Sequence, residues 1–219
     1  KGMLEEKERD SAYNILKSEG KLPVKTRSEV IFDERYEAMK QFLYKKYGDL
    51  KLSPAEYLKK AVSKYIKIKI GSKLVQGNLK RVYNGHINLF YRPAKFKGKD
   101  AIKMWLAHLI LSNSDVEGAR TLGFFKDKNG NPTCYCLGQM DRTSAREELE
   151  QLLNVYQTGL EKPIPFFPNT SYKKYLGKWH QREWLGQHFR DIDISGEYEN
   201  DYVRLYFAKD VVKKEKFTS

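Results

Sequence analysis

The hydrophobic period of this chain changes between Tyr65 and Leu111, and that change restricts the fold more than any other feature. Tyr65-Ile66-Lys67-Ile68-Lys69-Ile70 alternates with a period of two, the pattern of a half-buried strand with Ile66, Ile68 and Ile70 inward. Two further runs follow, joined by Asn84-Gly85, the strongest short hairpin signal. After Lys95 to Lys99 the period becomes helical, with Ile102, Trp105, Leu106, Leu109 and Ile110 on one apolar face. A second hairpin is expected in TLGFFKDKNGNPTCYCL, with Asn129-Gly130 at its tip.

Helices are expected on both sides of this block. Leu4 to Leu16 reads as a helix stopping at Gly20, with LPVKT as the turn after it. Glu29 to Tyr47 carries Phe32, Tyr36, Met39 and Leu43 in a single stripe and ends at Gly48. Ser53-Pro54-Ala55-Glu56 is a capping box with Pro at the first helical position. Downstream, Leu149, Leu152, Leu153, Tyr156 and Leu160 mark a long amphipathic helix. The prolines of KPIPFFP forbid helix there. Ser171 to Arg190 is expected to be helical, anchored by Trp179 and Trp184, and the polar tail DVVKKEKFTS is expected to fray. The order predicts an α/β (α+β) domain: a small mixed sheet with NG hairpins, flanked by helices. With no repeat or linker, one domain over residues 1–219 is the expectation. The opening KGMLEEKERD, without Met at position 1, is what either a piece of something longer or a trimmed chain would show.

Hydrophobic residues make up 40% of the chain, enough for a real core. Lys and Arg number 41 against 28 Asp and Glu, a net charge of +13 that favours an anionic partner, nucleic acid first. The bland alternative is a solvated Lys-rich surface. No apolar run is long enough for a membrane span and no signal peptide is visible, so a cytoplasmic protein without membrane contact is expected. Cys134 and Cys136 are expected to face apart in a strand and stay reduced. His86, His108, His180 and His188 lack zinc-site spacing, and Cys134-x-Cys136 has no second pair. His108, three residues after Trp105, reads as a packed core histidine. No GxxxxGK loop occurs, so neither metal nor other cofactor is expected and the chain should not bind ATP itself.

The two runs around Asn84-Gly85 resemble the core of PD-(D/E)XK restriction-endonuclease-like nucleases. In that superfamily one strand carries an Asp, and the next carries a second acid and a Lys. The acids hold Mg²⁺, which needs oxygen ligands, and the ion generates the attacking hydroxide. The frame here is Gly77-Asn78-Leu79-Lys80-Arg81-Val82, then Leu89-Phe90-Tyr91-Arg92-Pro93. Lys80 stands where the first Asp belongs, Phe90 where the second acid belongs, and Arg92 replaces the Lys. A one-residue slip does not rescue the site, because Leu74 to Val82 and His86 to Tyr91 contain no Asp or Glu.

A more specific resemblance spans about Leu16 to Phe207. LKSEGKLPVKT, LFYRPAKFKGKDAIKMWLAHLIL, LLNVYQTGLEKPIPFFPNTSYKKYL and GEYENDYVRLYF occur in that order. Together they resemble the C-terminal domain of RecC, the gamma subunit of exodeoxyribonuclease V, the RecBCD helicase–nuclease. The resemblance implies a nuclease-like fold without the active site, so no enzyme by itself, within an ATP-dependent complex for double-strand break repair. It implies a subunit that helps split the duplex, guides the 3′-ended strand, participates in recognising Chi and contacts RecB-like and RecD-like subunits. It also implies an inserted element acting as a strand-separating pin.

Candidate DNA contacts for single-stranded or forked DNA are Lys80 and Arg81 on one strand, and Arg92, Lys95, Lys97 and Lys99 on the connection after the next. Lys side chains neutralise phosphates without reading sequence. The second hairpin adds Phe124, Phe125, Lys126 and Lys128, with Tyr135 opposite, the composition of a base-stacking surface or a wedge. Ordinary strand packing is the alternative for its rings. Phe166, Phe167 and Tyr172 are candidates for a partner interface. Asp100 reads as part of a helix start. An active Mg²⁺-dependent nuclease using some of Asp100, Asp115 and Glu117 is one alternative, and a pure assembly domain without DNA contact is another.

Overall fold

The N-terminal stripe of aromatic residues builds three helices: α1 (Gly2–Ser18), α2 (Arg27–Tyr44) and α3 (Pro54–Lys60). The structure, a computed structural model, describes residues 2–22, 27–178, 181–189, 192–207 and 209. It divides into two compact units, Lys1–Lys59 and Lys60–Ser219. In the first, Tyr13 meets Phe32 edge-on at 5.2 Å and Phe32 stacks on Tyr36 at 5.6 Å. Arg9 joins α1 to α2 through Asp33 at 2.6 Å. The capping box forms: Ser53 donates its backbone N–H to Glu56 Oε2 at 2.7 Å, and Glu56 N–H reaches Ser53 Oγ at 3.4 Å.

The second unit opens on the alternating strand, β1 (Val62–Ile70), followed by β2 (Lys73–Tyr83) and β3 (Ile87–Lys95). Helix α4 (Gly98–Ser112) then leads to β4 (Arg120–Lys126) and β5 (Pro132–Leu137). The five strands lie in the order β1-β2-β3-β4-β5. Neighbours run antiparallel except β3 and β4, which are parallel. Parallel neighbours need a crossover, and α4 is that crossover. Asn84 and Gly85, with φ of 47° and 75°, lie in a connection of three residues between β2 and β3, longer than a two-residue turn. Asn129-Gly130 lies in a five-residue connection, Asp127 to Asn131, between β4 and β5.

Ile66, Ile68 and Ile70 face inward and pack with Leu109 of α4 and with Ala145 and Leu149 of α5 (Arg142–Glu161). Each fully buried side chain of this size contributes roughly 1.5–3 kcal/mol. Asn113 ties the two helices, donating through Nδ2 to Leu109 O at 2.9 Å and Ala145 O at 2.8 Å. The buried face of α4 departs from the expected one. Met104, Ala107, His108 and Leu111 are buried beside Leu109, while Leu106 is 41% exposed. The helix packs on the sheet as well as on α5, and its sheet side includes a small residue and a histidine that a hydrophobic pattern underweights.

Beyond α5, Pro168 opens α6 (Pro168–Tyr175), and the expected single helix from Ser171 breaks. Gly177, at φ 64°, and Gly186, at φ 78°, adopt the left-handed conformation that ends helices, leaving the short α7 (Gln181–Leu185) between them. A small hairpin, β6 (Gln187–Phe189) and β7 (Ile192–Ile194), follows, then a 3₁₀ turn at Glu197–Glu199 and α8 (Asp201–Tyr206). Trp184 anchors this end against Phe167, with ring centroids 4.5 Å apart. The expected turn at Pro23–Thr26, the Trp179 anchor, Arg190 and the tail 210–219 lie outside the described residues.

The cysteines require a correction. Cys134 pairs with Phe124 and Cys136 with Leu122, so the two share one face, as residues two apart in a strand must. Both are free, and burial pushes the Cys134 thiol up to about 11.

His108 is buried, with Nδ1 at 3.3 Å from Thr121 Oγ1. Burial outweighs a hydrogen bond at Gly138 and lowers its pKa below the ordinary imidazole value of 6.5. The unfolded chain therefore binds this proton more readily than the folded one. The contribution is fully present above about pH 6.5 and is lost as pH falls toward the lowered native value. Between about pH 8 and pH 5, urea midpoints should fall further for the wild-type chain than for His108→Gln.

Candidate nucleic-acid interface

A bulge between β1 and β2 shapes the first candidate residues. Lys64 pairs with Leu79 and Val62 with Val82, so Lys80 and Arg81 together stand opposite Ser63. Arg81 takes the strain, at φ 61°, a conformation costing a non-glycine residue roughly 1–2 kcal/mol. The bulge turns its guanidinium onto the Tyr91 ring, 5.0 Å from the centroid. It also frees the Lys80 carbonyl, which accepts from Nδ2 of the buried Asn88 at 2.9 Å. The Lys80 side chain is exposed. The sequence held no signal for this bulge, since Arg81 is not the glycine such positions favour.

On β3, Asn88, Phe90 and Arg92 share the face that meets α4. Phe90 is half-buried opposite Gly123, where a Cβ would run into Met104. Arg92 pairs with Asp100 in the first turn of α4, donates to Lys95 O at 2.7 Å, and lies 5.8 Å from the Phe125 ring centroid. Asp100 is 9% exposed and also accepts from the Lys97 backbone N–H at 2.9 Å. This carboxylate is thus the cap of α4 and the counter-ion of Arg92. The ion pair ties Arg92 to the start of α4, while its Nε is buried without a hydrogen-bond partner.

The remaining cations do collect. Lys95 and Lys126 are register partners on β3 and β4, and Lys95, Lys97 and Lys99 are exposed around the start of α4. Like charges directly opposite each other repel, and an anion between them relieves that cost. Lys128 is exposed in the β4–β5 connection, which Asp127 organises by accepting from Asn129 and Asn131 N–H, both at 2.8 Å. Those bonds hold the Asp127 carboxyl below its ordinary value.

The aromatic candidates divide. Phe124 and Phe125 are 1% and 2% exposed, so neither ring can stack on a base, which corrects their assignment as DNA contacts. Tyr135 stacks on Phe96 at 4.2 Å, and Phe96 in turn meets Phe125 at 5.1 Å and Tyr172 at 6.2 Å. Tyr172 is half-buried in this cluster beneath α4. Phe167 is buried with Trp184 and is corrected to a core residue, whereas Phe166 is 50% exposed. Phe166 lines a hollow of about 350 Å³ with Val155 and Ile164, and Tyr156 and Leu160 of α5 are exposed.

Of the alternative metal acids, Asp115 and Glu117 line one hollow of about 460 Å³, and Asp100 lies outside it. Asp115 accepts from Arg142 at 3.1 Å. Among the described residues, no three His, Cys, Asp or Glu side chains lie close enough to hold a metal ion. Nor, among these residues, is any helix long and apolar enough to cross a membrane.

Residues 1–179 match the family model of the RecC C-terminal domain. The chain belongs to the RecC C-terminal domain family. The RecC family belongs to the exodeoxyribonuclease V complex. The matched span contains the five-stranded sheet, α4, α5 and α6, and therefore every candidate residue above. No curated protein matches the chain.

Substituting Arg92 with Ala leaves Asp100 nearly buried without its counter-ion. The variant should lose about 1–3 kcal/mol of stability, read as a drop in the urea midpoint. Lys97→Ala and Lys99→Ala, at exposed positions, should change it by less than about 0.5 kcal/mol.

Proposed function

We propose that this chain is the nuclease-like, non-catalytic part of a RecC-type subunit. It guides or splits DNA strands in a helicase–nuclease complex for double-strand break repair, and it docks RecB-like and RecD-like subunits. The match to the RecC C-terminal domain over residues 1–179 carries this reading. Support for a lost nuclease site comes from β2 and β3, which contain no Asp or Glu. Lys80, Phe90 and Arg92 occupy the positions at which a PD-(D/E)XK core would hold its acids and lysine. A cation and an aromatic ring cannot ligate Mg²⁺, which requires oxygen donors.

DNA contact is assigned to Lys80, Arg81, Lys95, Lys97, Lys99, Lys126 and Lys128. The register pair Lys95 and Lys126 supports it, because their repulsion falls when a phosphate lies between them. Such contacts position a strand and carry no sequence information.

A second reading, assembly without DNA contact, is favoured by the exposed apolar residues Val155, Tyr156, Leu160 and Phe166. Exposed apolar side chains of this kind are the composition of a protein interface.

Forked and single-stranded DNA binding by the chain, with and without Mg²⁺ across a salt series, separates these readings. The expected result is binding that weakens steeply with salt, with no cleavage. Lys95→Ala and Lys99→Ala should each reduce the log–log salt slope by about 0.7 on single strands. Cleavage that needs Mg²⁺ would overturn the non-catalytic assignment, and absence of binding at low salt would leave the assembly role.

A further inference from the structure

We propose that the free edge of β1 captures an extended acidic segment of a partner protein, adding it to the sheet as a sixth strand. The proposal deepens the docking half of the function above and uses none of the cations of the β3–α4 corner assigned to DNA there.

Strand β1 is nine residues long and pairs with β2 along one side. Among the described residues, no strand pairs with its other side. Its outer N–H and C=O groups therefore form a row awaiting partners. Sheet edges are ordinarily blunted by short length, bulges, cover or charged side chains, Lys above all; the lysines of β1 discourage a like-charged strand but not an acidic one. The one bulge here lies near Val62, and Lys64 to Ile70 keep an unbroken register.

This edge opens on a groove of about 320 Å³. One wall is the run Lys64–Lys69, all six residues in succession. Residues of both parities line it, so the strand offers its backbone edge and not merely one face. The opposite wall is Asn113, Ser114 and Asp115 after α4, with Arg142 and Arg146 of α5. A backbone edge in a groove fits a peptide strand, because only another backbone supplies alternating donors and acceptors at the matching spacing.

Charge selects the occupant. Lys64, Lys67, Lys69, Arg142 and Arg146 line the groove with a single carboxylate, Asp115, which Arg142 already engages at 3.1 Å. Lys64 donates to Gly85 O at 3.0 Å. Lys67, Lys69 and Arg146 are exposed, and no acidic side chain pairs with them among the described residues. Lys67 and Lys69 project from the face opposite Ile66 and Ile68, while Arg142 and Arg146 belong to the helix that covers the isoleucines. An added strand thus meets cations on both of its faces. A second copy of β1 would set lysine against lysine, which is destabilising across strands. The fitting partner is an extended segment rich in Asp and Glu.

The test uses the full 219-residue chain and a fluorescent peptide alternating valine and glutamate, followed by anisotropy. The control peptide is N-methylated at every amide, which keeps the charge and removes the strand edge. The alternating peptide should bind, and the methylated one should not. Amides within Lys64–Ile70 should exchange more slowly in the complex. The double variant Arg142→Glu/Arg146→Glu, altered at two exposed positions, should weaken binding by at least roughly tenfold. Equal binding of the methylated peptide, an unchanged affinity of the double variant, or no binding of either peptide would overturn the proposal. So would displacement by oligothymidine with no change in β1 exchange, since the surface would then be a nucleic-acid site. A chain that binds the peptide but not DNA would remove the DNA reading alone. One that binds DNA but not the peptide would remove this proposal alone.

Discussion

Parallel pairing of β3 with β4 is the constraint on which the rest of this unit depends. Antiparallel neighbours can be joined by a short turn, but these two cannot, so the chain must cross the sheet as α4. The helix is then held from two sides. Toward the sheet, Met104 and His108 lie over Gly123 and Thr121. Toward the later helices, a Cβ at Gly98 would meet the Pro168 carbonyl and the Tyr172 side chain, so the start of α4 and α6 approach without one. Tight contact on both sides is possible because Gly98 and Gly123 add no side chain. Helix α5 completes the layer by covering the isoleucines of β1.

This packing sets where charge can go. A nuclease core would direct carboxylates from β2 and β3 toward one corner of the sheet. Here β2 and β3 supply Lys80 and Arg92, and the nearby carboxylate, Asp100, is spent on Arg92 and on the Lys97 backbone. The same corner keeps Lys95, Lys97 and Lys99 exposed, with Lys126 beside Lys95. The free edge of β1 offers a separate contact, formed from backbone rather than from side chains.

Much of this was legible in the sequence, for identifiable reasons. Period-two alternation located β1 and its inward isoleucines, and Ser53 with Glu56 announced the start of α3. The core role of His108 followed from its helical spacing to Trp105. Other features depended on long-range context. The rings of Phe124 and Phe125 looked like a stacking surface, but β4 is covered on both faces and buries them. The break after Tyr175 was hidden because Gly177 reads equally well as a tolerated helix glycine or as a stop. Arg81 in a left-handed bulge had no local signature at all. Arg92 stood out in the sequence, but its partner Asp100 became evident only when β3 and α4 were placed together.

The central claim is that Arg92 and Asp100 form an ion pair joining β3 to the start of α4, and that Asp100 is not part of a metal site. Calorimetric titration of the chain with Mn²⁺, alongside Asp100→Asn, tests it most directly. The account predicts no saturable metal binding in either protein and a lower melting temperature for the variant. Stoichiometric Mn²⁺ binding by the wild-type chain that disappears in Asp100→Asn would contradict it.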